Sequence, residues 1–184
     1  MNKNPLLPTL QGGDRRSIGK SNQVVAKILR QPNLFPKLIE LLWHDDPIVR
    51  MRAGDATEKI SAQNPTLLQP HKSELLSLAA ETTQQELRWH LALMLPRLKL
   101  NRAERTRAIA TLRTYLTDRS SIVKTFALQA LTDLAQGDPT TESEILDLLH
   151  QSTRTGTPAM KARARKLLTQ FQKKSTATKR KRLL

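Results

Sequence analysis

Apolar residues recur with one spacing at four places along the 184-residue chain. The sets are Val49, Ala53, Ala56, Ile60; Leu87, Leu91, Met94, Leu98; Val123, Ala127, Ala130, Leu134; and Met160, Ala164, Leu167, Phe171. Each follows i, i+4, i+7, i+11, and successive sets are offset by 38, 36 and 37 residues. That spacing lines one face of a helix, whereas a strand alternates its faces every second residue. A second apolar cluster precedes each set: Leu38, Ile39, Leu41, Leu42; Leu75, Leu76, Leu78, Ala79; Leu112, Tyr115, Leu116; and Ile145, Leu146, Leu148, Leu149. Helix-start chemistry marks the joints. Asp46-Pro47 offers an N-cap followed by proline at the first helical position, where a missing N–H costs nothing. Thr83-x-x-Glu86 and Thr141-x-x-Glu144 have the form of capping boxes. Asp118 with Ser120 and Ser121, and Thr157-Pro158, open the last two second helices, and Gly137-Asp138-Pro139 interrupts the chain between the third and fourth units.

The pattern predicts an all-α chain of about four helix–turn–helix units, each about 37 residues long and stacked as an α-solenoid. One such unit cannot bury its own apolar face, so the ends need caps. Ser17–Arg30, with Ile18, Val24, Val25, Ile28 and Leu29, is predicted to be the capping helix at the start. The expected organisation is a flexible leader over 1–16, the repeats over 17–172, and a disordered basic tail over 173–184.

The segments Asp46–Ala56, D-P-x-V-R-x-x-A-x-x-A, and Asp118–Ala130, D-R-S-S-I-V-K-x-x-A-x-x-A, resemble HEAT repeats. The resemblance covers residues 33–172 and extends to HEAT-like repeat proteins of bacteria. That family carries an acid in the inter-helix turn and a basic residue early in the second helix. Arg50, Arg88, Lys124 and Lys161 match the basic position in all four units, while the acid is present as Asp46 and Asp118 and missing from the second and fourth. The resemblance implies a scaffold that binds proteins or, in some members, nucleic acid.

Charge gives that expectation a direction. Lys and Arg number 31 against 16 Asp and Glu, and no acid follows Asp147. Such a field attracts phosphate backbones or acidic proteins. Arg50, Arg88, Lys124, Lys161, Arg163, Arg165, Lys166, Lys173 and Lys174 are therefore the candidate binding residues, for a nucleic-acid backbone or an acidic protein partner. Arg88 and Lys161 lack the turn acid and are expected to be freer to meet an external anion. Aromatics make up only 3% of the chain, which leaves few platforms for stacking on bases, so nucleic acid is expected to be held through its phosphates. The absence of cysteine excludes disulfides and thiolate chemistry. No apolar run reaches the ~18 residues of a membrane-spanning helix, and the first residues lack the apolar region of a signal peptide. A cytoplasmic protein with no membrane partner is expected.

Residue chemistry points away from catalysis. Gly19-Lys20-Ser21 matches the end of a phosphate-binding loop, G-x-x-x-x-G-K-[ST], but Asp14 stands where the first glycine belongs. No strand precedes it to build the sheet such a loop needs, so Arg15, Arg16 and Lys20 are assigned to a basic leader, with Ser17 or Ser21 capping the first helix. His44, His71, His90 and His150 show no metal-binding spacing, and His44-Asp45-Asp46 is assigned to the turn. No cofactor, metal or small-molecule substrate is expected. One enzymatic alternative follows from the resemblance: some proteins of similar architecture are DNA glycosylases acting on alkylated bases, with aromatic side chains beside a carboxylate. The candidates here are Trp43 with Asp45 and Asp46, and Trp89 with Glu86, although both tryptophans are expected to fill the core.

Overall fold

In the computed structural model the four apolar sets are buried where their spacing places them, except that Phe171 is half-buried. The backbone is described for residues 4–14 and 17–182, and side chains for 4–14 and 17–171. Ten α-helices occur among the described residues: α1 (Leu7–Leu10), α2 (Ser21–Arg30), α3 (Phe35–Glu40), α4 (Pro47–Gln63), α5 (Lys72–Glu81), α6 (Gln85–Met94), α7 (Arg102–Tyr115), α8 (Ser121–Ala135), α9 (Pro139–Thr155) and α10 (Pro158–Arg182). Four 3-10 turns link them, and no strand is present among the described residues. The chain divides into two compact units, Met1–Glu104 and Arg105–Leu184, with the division falling inside α7.

In the first unit α4 is the central element, packed against α1, α2, α3 and α6 and against the turns Leu41–Trp43 and Pro65–His71. Its residues Met51 to Thr57 are buried without interruption, so every face of those two turns is covered. Small residues allow this. A Cβ built on Gly54 would meet Leu87 Cδ1 at 3.1 Å and His90 Cδ2 at 3.4 Å, so α6 approaches α4 at its backbone. Leu38, Leu42, Leu75 and Leu87 complete the core from neighbouring elements, each fully buried. Burial of one such side chain is worth about 1.5–3 kcal/mol. In the second unit α10 packs on both α8 and α9, and α8 on α9, around Leu112, Tyr115, Val123, Leu131, Ile145 and Leu149.

Helix starts agree with the sequence where the cap is the residue nearest the turn. Asp46 Oδ1 accepts the Ile48 N–H at 2.8 Å, Ser120 Oγ accepts that of Val123 at 3.4 Å, and Thr157 Oγ1 accepts that of Met160 at 3.3 Å. Both expected threonine boxes are displaced. The N-cap of α6 is Gln84, with no side-chain cap. Helix α9 begins at Pro139, ahead of Thr141, whose hydroxyl instead donates to Asp138 Oδ2 at 2.6 Å. Its predicted partner Glu144 pairs with Arg113 at 2.5 Å. A capping box does form at Asn101 and Glu104, each side chain accepting the other's backbone N–H, at 2.9 and 2.8 Å.

The start of the chain also departs from expectation. Helix α2 begins at Ser21 rather than Ser17, and Ile18 and Leu29 are exposed. The residues expected as a leader contribute α1, with Leu6 and Leu10 fully buried. Arg15 and Arg16, and the side chains of the basic tail from 173 onward, lie outside the described residues.

Candidate functional site

The basic column divides into engaged and unengaged members. Arg50 donates from Nη1 to the carbonyls of His44 and Asp45 at 2.7 and 3.0 Å, and from Nε to Gln84 Oε1 at 2.8 Å. Arg88 donates from Nε to the Thr82 carbonyl at 2.8 Å. In both, the guanidinium closes the turn six residues earlier in its own chain segment, and Arg88 does so without the turn acid. Arg163 reaches Gln129 Oε1 at 3.1 Å, and Gln129 itself donates to both Asp133 oxygens. Lys124 and Lys161 are half-buried, Arg165 and Lys166 are exposed, and none of the four side chains has an ion-pair or hydrogen-bond partner among the described residues. Lys173 and Lys174 lie outside the residues whose side chains are described.

The near-match to a phosphate-binding loop has the opposite polarity. Arg52 on α4 is 2% exposed, and its guanidinium is enclosed by that loop. It donates to the carbonyls of Ser17 (3.1 Å), Leu10 (2.9 Å), Gln11 (3.4 Å), Gly12 (2.5 Å) and Asp14 (3.0 Å). A phosphate cradle needs converging N–H groups, whereas converging carbonyl oxygens hold a cation. The glycines permit the wrap: Gly12, Gly13 and Gly19 have φ of 69°, 78° and 54°, and a Cβ on Gly19 would lie 2.7 Å from Arg52 Cζ. Ser21 does not cap α2. Its hydroxyl donates to Asp55 Oδ2 at 2.5 Å, and Lys59 Nζ meets the same oxygen at 2.7 Å.

Next to this cluster a cleft of about 530 Å³ opens among Ile18, Met51 and Asp55 on one side and Gln85, Glu86, Trp89 and His90 on the other. α4 supplies Met51 and Asp55 one turn apart, and α6 supplies its residues from its first two turns. His90 is 9% exposed, and its Nδ1 is buried without a hydrogen-bond partner. Burial lowers its pKa from 6.5 to about 4, against the pull of Asp55 and Glu58, so the imidazole is neutral at physiological pH. The Trp89 and His90 rings lie 5.5 Å apart at 59°. Asp55 is buried, while Glu86 is half-buried with no partner among the described residues.

Of the two tryptophan–carboxylate pairs singled out in the sequence, Trp89 with Glu86 shares this cleft. Trp43 is elsewhere and is not core: it is 43% exposed, and its Nε1 donates to Glu74 at 3.0 Å. It lines a smaller cleft of about 250 Å³ with Arg50, Glu81 and Gln84. His44 serves the turn, its Nδ1 accepting the Asp46 N–H at 3.0 Å. No group of three metal-ligating side chains converges among the described residues. Sequence reasoning passed over Arg52 and Asp55, and assigned Ser21 only to a helix cap. The available signal was the run Ala53-Gly54-x-Ala56, whose small side chains let α4 be covered on all sides, forcing any polar residue there to find an internal partner. Compared with family models, with curated proteins and with solved structures, the chain shows no significant match.

Proposed function

We propose that the protein is a non-enzymatic HEAT-like scaffold, built as an α-solenoid, that engages the phosphate backbone of nucleic acid through α10 and the basic residues from 173 onward. Packing within each unit supports the repeat reading: α4 lies against both α2 and α6 in the first, and α8 against α10 in the second. This is the contact of second helix on second helix that stacked repeats require.

The charge distribution sets the surface. Residues 1–104 hold fifteen Lys and Arg against ten Asp and Glu, while residues 105–184 hold sixteen against six. The observation that carries the reading is the contrast between the two ends of the basic column. Arg50 and Arg88 are occupied by turn carbonyls, whereas Lys161, Arg165 and Lys166 on α10 meet no acid among the described residues. A cation without an internal partner keeps its counterions, and their release on contact with phosphate drives binding. The contact set narrows accordingly to Lys124, Lys161, Arg165 and Lys166 together with the basic tail.

Fluorescence anisotropy with mixed-sequence duplex DNA and RNA tests this. With about four phosphate contacts, affinity falls on the order of 100-fold between 50 and 200 mM salt. Replacing Lys161, Arg165 and Lys166 by glutamine lowers the salt slope by about three. Absence of binding at low salt overturns the reading. Capture of an acidic protein that survives nuclease treatment replaces nucleic acid with that partner, and release of an alkylated base from DNA replaces the non-enzymatic reading.

A further inference from the structure

We propose that the cleft between α4 and α6 binds an organic ammonium ion, with its charge between the Glu86 and Asp55 carboxylates and the Trp89 ring, and its carbon arm on Ile18 and Met51. The described lining of this cleft belongs to the first unit, and the proposal does not rest on the polyanion reading.

Five observations converge. Among the described residues the lining holds two carboxylates and no cationic side chain. Asp55 meets Ser21 and Lys59 through one oxygen, Oδ2. Glu86 is left unpaired among the described residues of a chain with nearly two cations for every acid. A half-buried carboxylate beside an indole attracts a cation twice over, through its own charge and through the negative face of the ring. His90 supplies the third element. It is nine-tenths buried and uncharged, so it does not repel a cation, and its Nδ1 is a polar atom left without a hydrogen-bond partner. The remaining walls, Ile18 and Met51, are apolar and suit a carbon chain rather than a bare ion.

The same features argue against other ligand classes. An anion would face two carboxylates, of which only Asp55 has a cation beside it, Lys59, among the described residues. An uncharged apolar molecule would desolvate Glu86 without satisfying it. A divalent ion would lack its ligand set, because no three metal-ligating side chains converge among the described residues. Two sources supply such an ion, a free alkyl amine and the lysine side chain of a peptide.

The test uses the full chain carrying Trp43→Phe, so that Trp89 alone reports by fluorescence, with calorimetry as a second readout. The probes are pentane-1,5-diamine for the free amine, Nα-acetyl-lysine methylamide for the peptide source, and 1-pentanol as the neutral control. Saturable binding of at least one amine below about 10 mM, without binding of pentanol, is expected. Glu86→Gln weakens it about tenfold with the melting temperature unchanged, and Gln85→Glu, which adds a carboxylate at the rim, strengthens it. The tighter of the two amines identifies the source. No saturable signal from either amine, equal binding of pentanol, or an unaltered affinity in Glu86→Gln overturns the proposal.

Discussion

At the scale of single residues, the physics is decided by polar groups that cannot reach water. Arg52 satisfies five backbone carbonyls at once, a task suited to the planar, many-donor guanidinium and beyond an ammonium group. Replacement by methionine keeps the bulk and strands those carbonyls. A loss of about 3 kcal/mol is expected in urea denaturation, with faster protease cleavage before Ser21, since each unpaired buried group costs about 1–3 kcal/mol. Arg52→Lys recovers only part of that loss. His90 makes a different residue-scale prediction. Its unfolded imidazole takes a proton near 6.5 and its folded one only near 4, so between those values the unfolded state binds more protons and stability falls as pH falls. The full shift corresponds to about 3 kcal/mol. Denaturant midpoints compared at pH 7 and pH 4.5 drop in the wild type, and His90→Gln removes most of the difference. Further down the pH scale, Glu104 and Asp138 add losses of the same sign. Their carboxyls are held below the ordinary range by hydrogen bonds from Lys72 and Thr141, respectively.

At the scale of elements, apolar spacing located the helices and local chemistry located only some of their ends. Leu38, Ile39, Leu41 and Leu42, and Leu75, Leu76, Leu78 and Ala79, are buried where the pattern placed them, because a helical stripe is a property of sequence alone. The threonine boxes failed for a competitive reason. Pro139 starts α9 two residues before Thr141, and Gln84 is a residue closer to α6 than Thr83. The box that forms, Asn101 with Glu104, also receives Lys72 on Glu104 at 2.7 Å, a contact 32 residues distant that no local pattern contains. Asn101→Ala is accordingly expected to cost about 1 kcal/mol, whereas Thr83→Ala changes stability by less than about 0.5 kcal/mol. Chemical denaturation of the two variants side by side checks the pair. Arg113 with Glu144, both half exposed, illustrates the weak end of the range, since solvent screening leaves surface pairs worth little.

At the scale of the whole molecule, the uneven charge matters more than its total. Sixteen of the cations fall in residues 105–184 with only six acids, so electrostatic attraction for a polyanion is expected to be a property of that part of the chain, and the glutamine replacements on α10 test it there. The candidate cleft lies in the other unit and has the opposite character, two carboxylates beside an indole. The sequence by itself determined the all-helical class, the positions of the buried stripes and the acid-free end, because helical periodicity and formal charge depend only on the order of residues. Tertiary structure alone decided which polar side chains are occupied. Arg50 and Arg88 close turns, Arg52 is wrapped by a loop some 40 residues away in sequence, and Asp55, Glu86, Trp89 and His90 line one cleft. Whether a polar side chain is free or occupied depends on burial and on partners brought from distant segments, and neither is encoded in the spacing of its own helix.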